Sequence, residues 1–91
     1  MLYIVAYDIE DPGRLKKISR LCLDYGFRIQ YSVFSMDFDK KRLHCFIQEL
    51  KGMISLDTDR VMLIPICKNC SQSTFIFGKK SSLSLPDALV F

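Results

Sequence analysis

The stretch Leu2-Tyr3-Ile4-Val5-Ala6-Tyr7-Asp8-Ile9-Glu10-Asp11-Pro12-Gly13 decides how the rest of the chain is read. It begins with β-branched and aromatic side chains, which suit a pleated, partly buried surface, and continues into a polar turn. A central strand ending at Asp8 follows from that change. From Gly13 to Tyr25 the periodicity is different: Leu15, Ile18, Leu21, Cys22 and Tyr25 recur at helical intervals, while Lys16, Lys17, Arg20 and Asp24 occupy the other side. This spacing predicts an amphipathic helix, stopped by Gly26.

Residues 27–36 have strand composition, either as one long strand or as two strands joined by a sharp bend near Gln30–Ser32, with no Gly or Pro to choose between them. Asp39 suits the N-cap of a second helix whose apolar face is Leu43, Phe46, Ile47, Leu50 and Ile54, fading near Gly52. Residues 60–66 form another strand, with Pro65 marking an edge or a bulge. Residues 67–73 read as a loop, 74–77 as a short last strand, and 78–86 as a Ser/Lys-rich linker before the apolar segment 88–91. The order strand, helix, strand, strand, helix, strand, with right-handed crossovers, gives an α+β fold: a ferredoxin-like βαββαβ sandwich with an extra C-terminal strand and both helices on one face of an antiparallel sheet. One domain over residues 1–78 and a tail over 79–91, a candidate docking segment, are expected. The second sheet face has no cover within the chain, so a face-to-face homodimer is the economical way to hide its apolar side chains.

The composition agrees with a single globular domain: 91 residues, 49% hydrophobic and 25% charged. A monomer of this length hides only about 60–65% of the surface its unfolded chain exposes, which again favours a dimer. No run approaches the roughly 20 apolar residues of a membrane span, and the apolar start lacks a basic leader, so a cytoplasmic protein with reduced thiols and no membrane partner is expected. The net charge of +3 is mild but unevenly spread. Asp8, Glu10 and Asp11 make an acidic spot, and Arg14, Lys16, Lys17, Arg20 and Arg28 follow with Asp24 as the sole acid among them. Such a basic stretch is suited to phosphate oxygens, giving affinity without base reading, although a charged outer face is also normal for an amphipathic helix.

Asp8 is the most informative single residue. A carboxylate at the end of a central strand is held by the sheet yet open to solvent, and Mg²⁺ needs only one or two such ligands beside its waters and a substrate phosphate. The simpler role is capping the turn. Cys67-Lys68-Asn69-Cys70 has the spacing of half a zinc knuckle, but structural zinc generally takes four ligands, and of the remaining candidates Cys22, His44 and Cys45, Cys22 lies on the buried side of the first helix and Cys45 on the outer face of the second. His44 and Tyr31 are the remaining acid–base candidates. No Walker loop, dinucleotide glycine pattern or serine nucleophile pattern is present.

Taken together, Tyr7-Asp8-Ile9 with Asp11, Arg14 and Lys17, then Tyr25-Gly26-Phe27-Arg28-Ile29-Gln30-Tyr31-Ser32-Val33-Phe34, resemble the signature of the small CRISPR-associated adaptation protein, the family named second among the CRISPR core proteins. The resemblance covers roughly residues 1–77. It implies a homodimer with facing sheets and a last strand that reaches the partner subunit, bridging dimers of the CRISPR integrase and binding duplex DNA during spacer acquisition. It also implies a metal-dependent endonuclease acting on single-stranded RNA or duplex DNA, with Asp8 as the Mg²⁺ ligand and Tyr7, Arg14, Arg28 and Phe34 at or supporting the site. Ser35-Met36 stand where many members have Glu-Gly, and Leu15 where a second Arg often follows the first. A regulatory ligand-binding or RNA-binding module on the same fold is the alternative; the aromatic RNA-recognition signature is missing from the strands.

Overall fold

The structure, a computed structural model, describes residues 1–77 and 89–90. Strand β1 (Leu2–Asp8), helix α1 (Pro12–Tyr25), strands β2 (Gly26–Gln30) and β3 (Val33–Asp37), helix α2 (Lys40–Lys51) and strand β4 (Arg60–Ile66) follow in that order. They build a four-stranded antiparallel sheet in the order β2-β3-β1-β4. Strand β3 thus fills the gap that the β1–α1–β2 crossover leaves, which is the ferredoxin-like arrangement the element order predicts.

Local chemistry sets the joints. The Asp11 carboxylate accepts the Arg14 amide at 2.8 Å and Pro12 occupies the first turn of α1, where a missing N–H costs nothing. At the other end Gly26 donates its amide to the Cys22 carbonyl and enters β2 directly. A Cβ there would overlap the Ser35 carbonyl oxygen, so this close approach of β2 to β3 admits only glycine. Asp39 caps α2 by accepting the Arg42 amide at 2.7 Å. The segment 27–36 is two strands: Tyr31 and Ser32 form the turn, the register shifts between Arg28 and Gln30, and the Tyr7 amide donates to the Ser32 carbonyl at 3.1 Å.

The core lies between the sheet and the helices. Val5 and Tyr7 of β1 and Phe34 and Met36 of β3 meet Ile18, Leu21 and Cys22 of α1 and Phe46 and Leu50 of α2. Phe38 packs its ring among those of Tyr3, Tyr25 and Phe46. Each fully buried side chain of this size contributes about 1.5–3 kcal/mol.

Several expectations need correction. Residues 67–73 are not a plain loop: helix α3 (Lys68–Gln72) occupies most of them, with Cys67 as its N-cap, the Cys67 Sγ accepting the Cys70 amide at 3.4 Å, and Ser71 buried. A helix this short has no apolar period to reveal it. In residues 74–77 only Phe75–Ile76 form a strand, β5, which pairs in parallel with β6 (Leu89–Val90) instead of extending the main sheet. Ile54 follows the end of α2, where Gly52 is the C-cap, and packs on the core from the loop. The linker expected over 78–86 lies outside the described residues. Pro65 sits in β4 at the end of the sheet order, where a missing ladder donor is tolerated.

Candidate functional site

Alternation along the strands assigns the residues between the core positions to the sheet face away from the helices. The register aligns Phe27, Ser35, Ile4 and Ile64 across β2, β3, β1 and β4, and then Gln30, Val33, Ala6 and Met62. Phe27 is 80% exposed and Met62 and Ile64 are also solvent-facing, so much of this face is apolar surface open to solvent among the described residues, with Ser35 buried between its neighbours. Its rim, beyond Ala6 and Met62, is the cross-strand pair Asp8 and Arg60.

Asp8 is exposed, and its carboxylate has no hydrogen bond or ion pair among the described residues. The structure thereby sets aside the turn-capping role, which falls to Asp11. Arg60, the cross-strand neighbour, is the residue that sequence reasoning passed over; only the β1–β4 register brings it beside Asp8. No three His, Cys, Asp or Glu side chains converge on a metal-sized space among the described residues. Asp8 offers a hard oxygen donor suited to Mg²⁺ holding most of its water shell.

The other candidates divide across the sheet. Tyr7 and Phe34 are buried on the helix side, opposite Asp8, with their rings stacked at 6.0 Å. The Tyr7 hydroxyl shares a 2.5 Å hydrogen bond with the Ser19 hydroxyl on α1. Arg28 is exposed and holds its guanidinium 5.2 Å from the centre of the Phe34 ring. Phe34 thus lies under the exposed Arg28, and Tyr7 under Ser19 of α1.

Arg14 has a fixed partner. Its Nε donates to Asp59 Oδ2 at 2.8 Å and its Nη2 to Asp59 Oδ1 at 3.2 Å and to the Thr58 hydroxyl at 3.1 Å. The Asp59 carboxylate, shielded from solvent, also accepts the Ser55 amide at 2.9 Å and the Thr58 hydroxyl. The hydrogen bonds from Arg14 and Ser55 hold Asp59 well below the usual carboxylate range, and the same ion pair raises Arg14. Lys16, Lys17 and Arg20, by contrast, are exposed on α1 without an ion pair among the described residues. They are the cations free to meet a polyanion.

Cys22 is buried, and its thiol is pushed up to about 12 by that burial, whereas Cys45 is exposed on α2. Cys67 and Cys70 remain a pair without further ligands among the described residues. No helix among those residues is long and apolar enough to cross a membrane.

Known proteins place this arrangement. Residues 1–74 match the family described as CRISPR associated protein Cas2. The CRISPR-associated endonuclease Cas2 of Halalkalibacterium halodurans is 30% identical over 96 residues, covering all of both chains. The CRISPR-associated endoribonuclease Cas2 4 of Rhodospirillum rubrum is 39% identical over 69 residues, 75% of this chain and 55% of that one. Among solved structures, Streptococcus pyogenes Cas2 at pH 6.5 superposes with a TM-score of 0.74 at 29% identity, over 81% of this chain and 95% of that one. Sequence and fold agree over the span that carries Asp8, the basic helix and the open sheet face, and on that agreement the chain belongs to the CRISPR-associated Cas2 family.

Proposed function

We propose that this chain works as a homodimeric nucleic-acid-binding subunit of CRISPR adaptation, holding duplex DNA and bridging integrase subunits, with Mg²⁺-dependent phosphodiester hydrolysis as an activity of the same dimer. One observation carries this reading: the open sheet face is largely apolar and ends at Asp8, which has no partner among the described residues, so the packing that removes the apolar rows from water also brings a second Asp8 into the same interface. The exposed Lys16, Lys17 and Arg20 supply phosphate contacts that neutralise charge without reading bases. The curated relatives named endonuclease and endoribonuclease support a nucleolytic reading.

In this dimer the two Asp8 carboxylates would hold Mg²⁺, and the bound ion would supply charge neutralisation at a phosphoryl oxygen. Arg60, one strand away, is placed to add positive charge at that rim, and Arg14 positions α1 through Asp59. The deciding experiment measures duplex binding against salt. Lys17→Ala and Arg20→Ala each reduce the slope of log affinity on log salt by about 0.9 for every phosphate that the truncated side chain no longer neutralises. In parallel, Asp8→Asn abolishes Mg²⁺-dependent cleavage while leaving that slope unchanged. Unchanged slopes in both lysine and arginine variants remove α1 from the DNA surface; full cleavage by purified Asp8→Asn removes the metal reading.

A further inference from the structure

The turn between β2 and β3 projects Tyr31 into solvent, where 73% of it is exposed. A single exposed ring means little by itself. Tyr31, however, shares a concavity of about 470 Å³ with Lys16, Arg20, Leu23 and Arg28, and among the described residues no carboxylate lines it. The neighbouring concavity on the other flank of α1, which Lys16 and Arg20 also border, includes Asp24 and Glu49. Positive charge is therefore concentrated without compensation on the Tyr31 side. There the Arg28 guanidinium already uses one face against Phe34, leaving its N–H edge for an anion.

The cations call for phosphate oxygens, and the ring calls for a flat π-system of its own size. A nucleotide presents both only when its base is unstacked, because a duplex turns its base faces inward and offers phosphates alone. The Tyr7 amide bond to the Ser32 carbonyl ties the β2–β3 turn to the carboxyl end of β1, so this concavity lies at the same end of the sheet as Asp8. We infer that it is a subsite for single-stranded polynucleotide, in which an unpaired base stacks on Tyr31 while flanking phosphates pair with Lys16, Arg20 and Arg28. This rests on the nucleic-acid reading above and adds to it a subsite, centred on Tyr31, that distinguishes an unpaired base from a duplex.

The test compares fluorescence anisotropy for a labelled oligothymidylate, an oligouridylate, an abasic oligonucleotide of equal length and charge, and a blunt duplex. The parent protein should prefer at least one of the two base-bearing strands to the abasic one by about tenfold, as stacking of about 1–3 kcal/mol per base requires. The stronger of the two identifies DNA or RNA as the ligand. Tyr31→Ala should erase the preference and leave duplex affinity within about twofold; Tyr31→Phe should keep it. Circular dichroism melts verify that both variants fold. Failure of the parent to distinguish base-bearing from abasic strands overturns the subsite, as does an equal loss of duplex and single-strand binding in Tyr31→Ala. If that occurs while duplex binding still depends on Lys17 and salt, the general nucleic-acid reading stands alone; if the parent binds none of the four, both fall.

Discussion

Arg14 and Asp59, 45 positions apart in the chain, form a two-pronged ion pair, Nε to Oδ2 at 2.8 Å and Nη2 to Oδ1 at 3.2 Å. The contact fastens the first turn of α1 to the loop that enters β4, and so sets how the basic helix lies on the sheet. It also engages the guanidinium that, by its neighbours in sequence, is the natural first phosphate ligand. Among the described residues, the exposed basic side chains of α1 without an ion pair begin instead at Lys16.

The pair makes stability depend on pH in a defined direction. Because the folded state depresses the Asp59 pKa, its contribution is fully present above the ordinary carboxylate value of about 3.9 and drains away as pH falls below it. Asp59→Asn should therefore melt several degrees below the parent at neutral pH, and the gap should narrow below about pH 4. Melts followed by circular dichroism across that range give the answer; a gap that stays constant would show that the ionised pair contributes nothing.

Phe34 and Asp8 should separate cleanly into a packing role and a surface role. Phe34 is fully buried against Tyr7, and Phe34→Ala should cost about 3–5 kcal/mol in urea unfolding through the cavity it leaves. Asp8→Ala removes an exposed carboxylate without a partner among the described residues and should leave stability within about 0.5 kcal/mol of the parent. A Phe34→Ala protein as stable as the parent would contradict the packing described above.

Two glycines should respond oppositely to alanine. At Gly26 the added methyl overlaps the Ser35 carbonyl oxygen, and Gly26→Ala should destabilise by about 1–3 kcal/mol or more as β2 is pushed from β3. At Gly52 the nearest atom is 3.5 Å away and φ is −76°, so Gly52→Ala should be neutral or stabilise by about 0.4–1 kcal/mol. Denaturant midpoints of the two variants measured side by side test both statements.

Thiol labelling reports the cysteine environments. In native protein, Cys45, Cys67 and Cys70 should be alkylated, and Cys22 only after denaturant is added, because it is buried and its thiol resists ionisation. Cys67, whose thiol the Cys70 amide holds below its ordinary range, should react before Cys70, whose thiol is raised. Mass spectrometry of timed digests reads the order; early labelling of Cys22 would mean that α1 opens in the native state.

Much of the fold is legible without coordinates because helices and strands announce themselves over short distances. The three- and four-residue spacing from Leu15 to Tyr25 and the Asp39 cap are interactions within a few residues, and both recur in the structure. The choice between one strand and two over residues 27–36 has no local solution, since Tyr31 and Ser32 turn the chain without Gly or Pro and the Tyr7 amide that holds the turn comes from another strand. Helix α3 is hidden for the complementary reason: a cysteine sulfur caps it where an oxygen would have been conspicuous.

The candidate site was legible as a set of residue types and not as a set of neighbours. Nearest-neighbour chemistry along the chain was enough to single out Asp8 as an exposed strand-end carboxylate and Lys16, Lys17 and Arg20 as one helix face. It could not show that Phe34 comes to share the helix-facing side with Tyr7, that Arg60 comes to stand beside Asp8, or that Arg14 is claimed by Asp59. Those relationships depend on strand register and on contacts between residues far apart in the chain, and such contacts exist only once burial of the shared core has closed the loops between them.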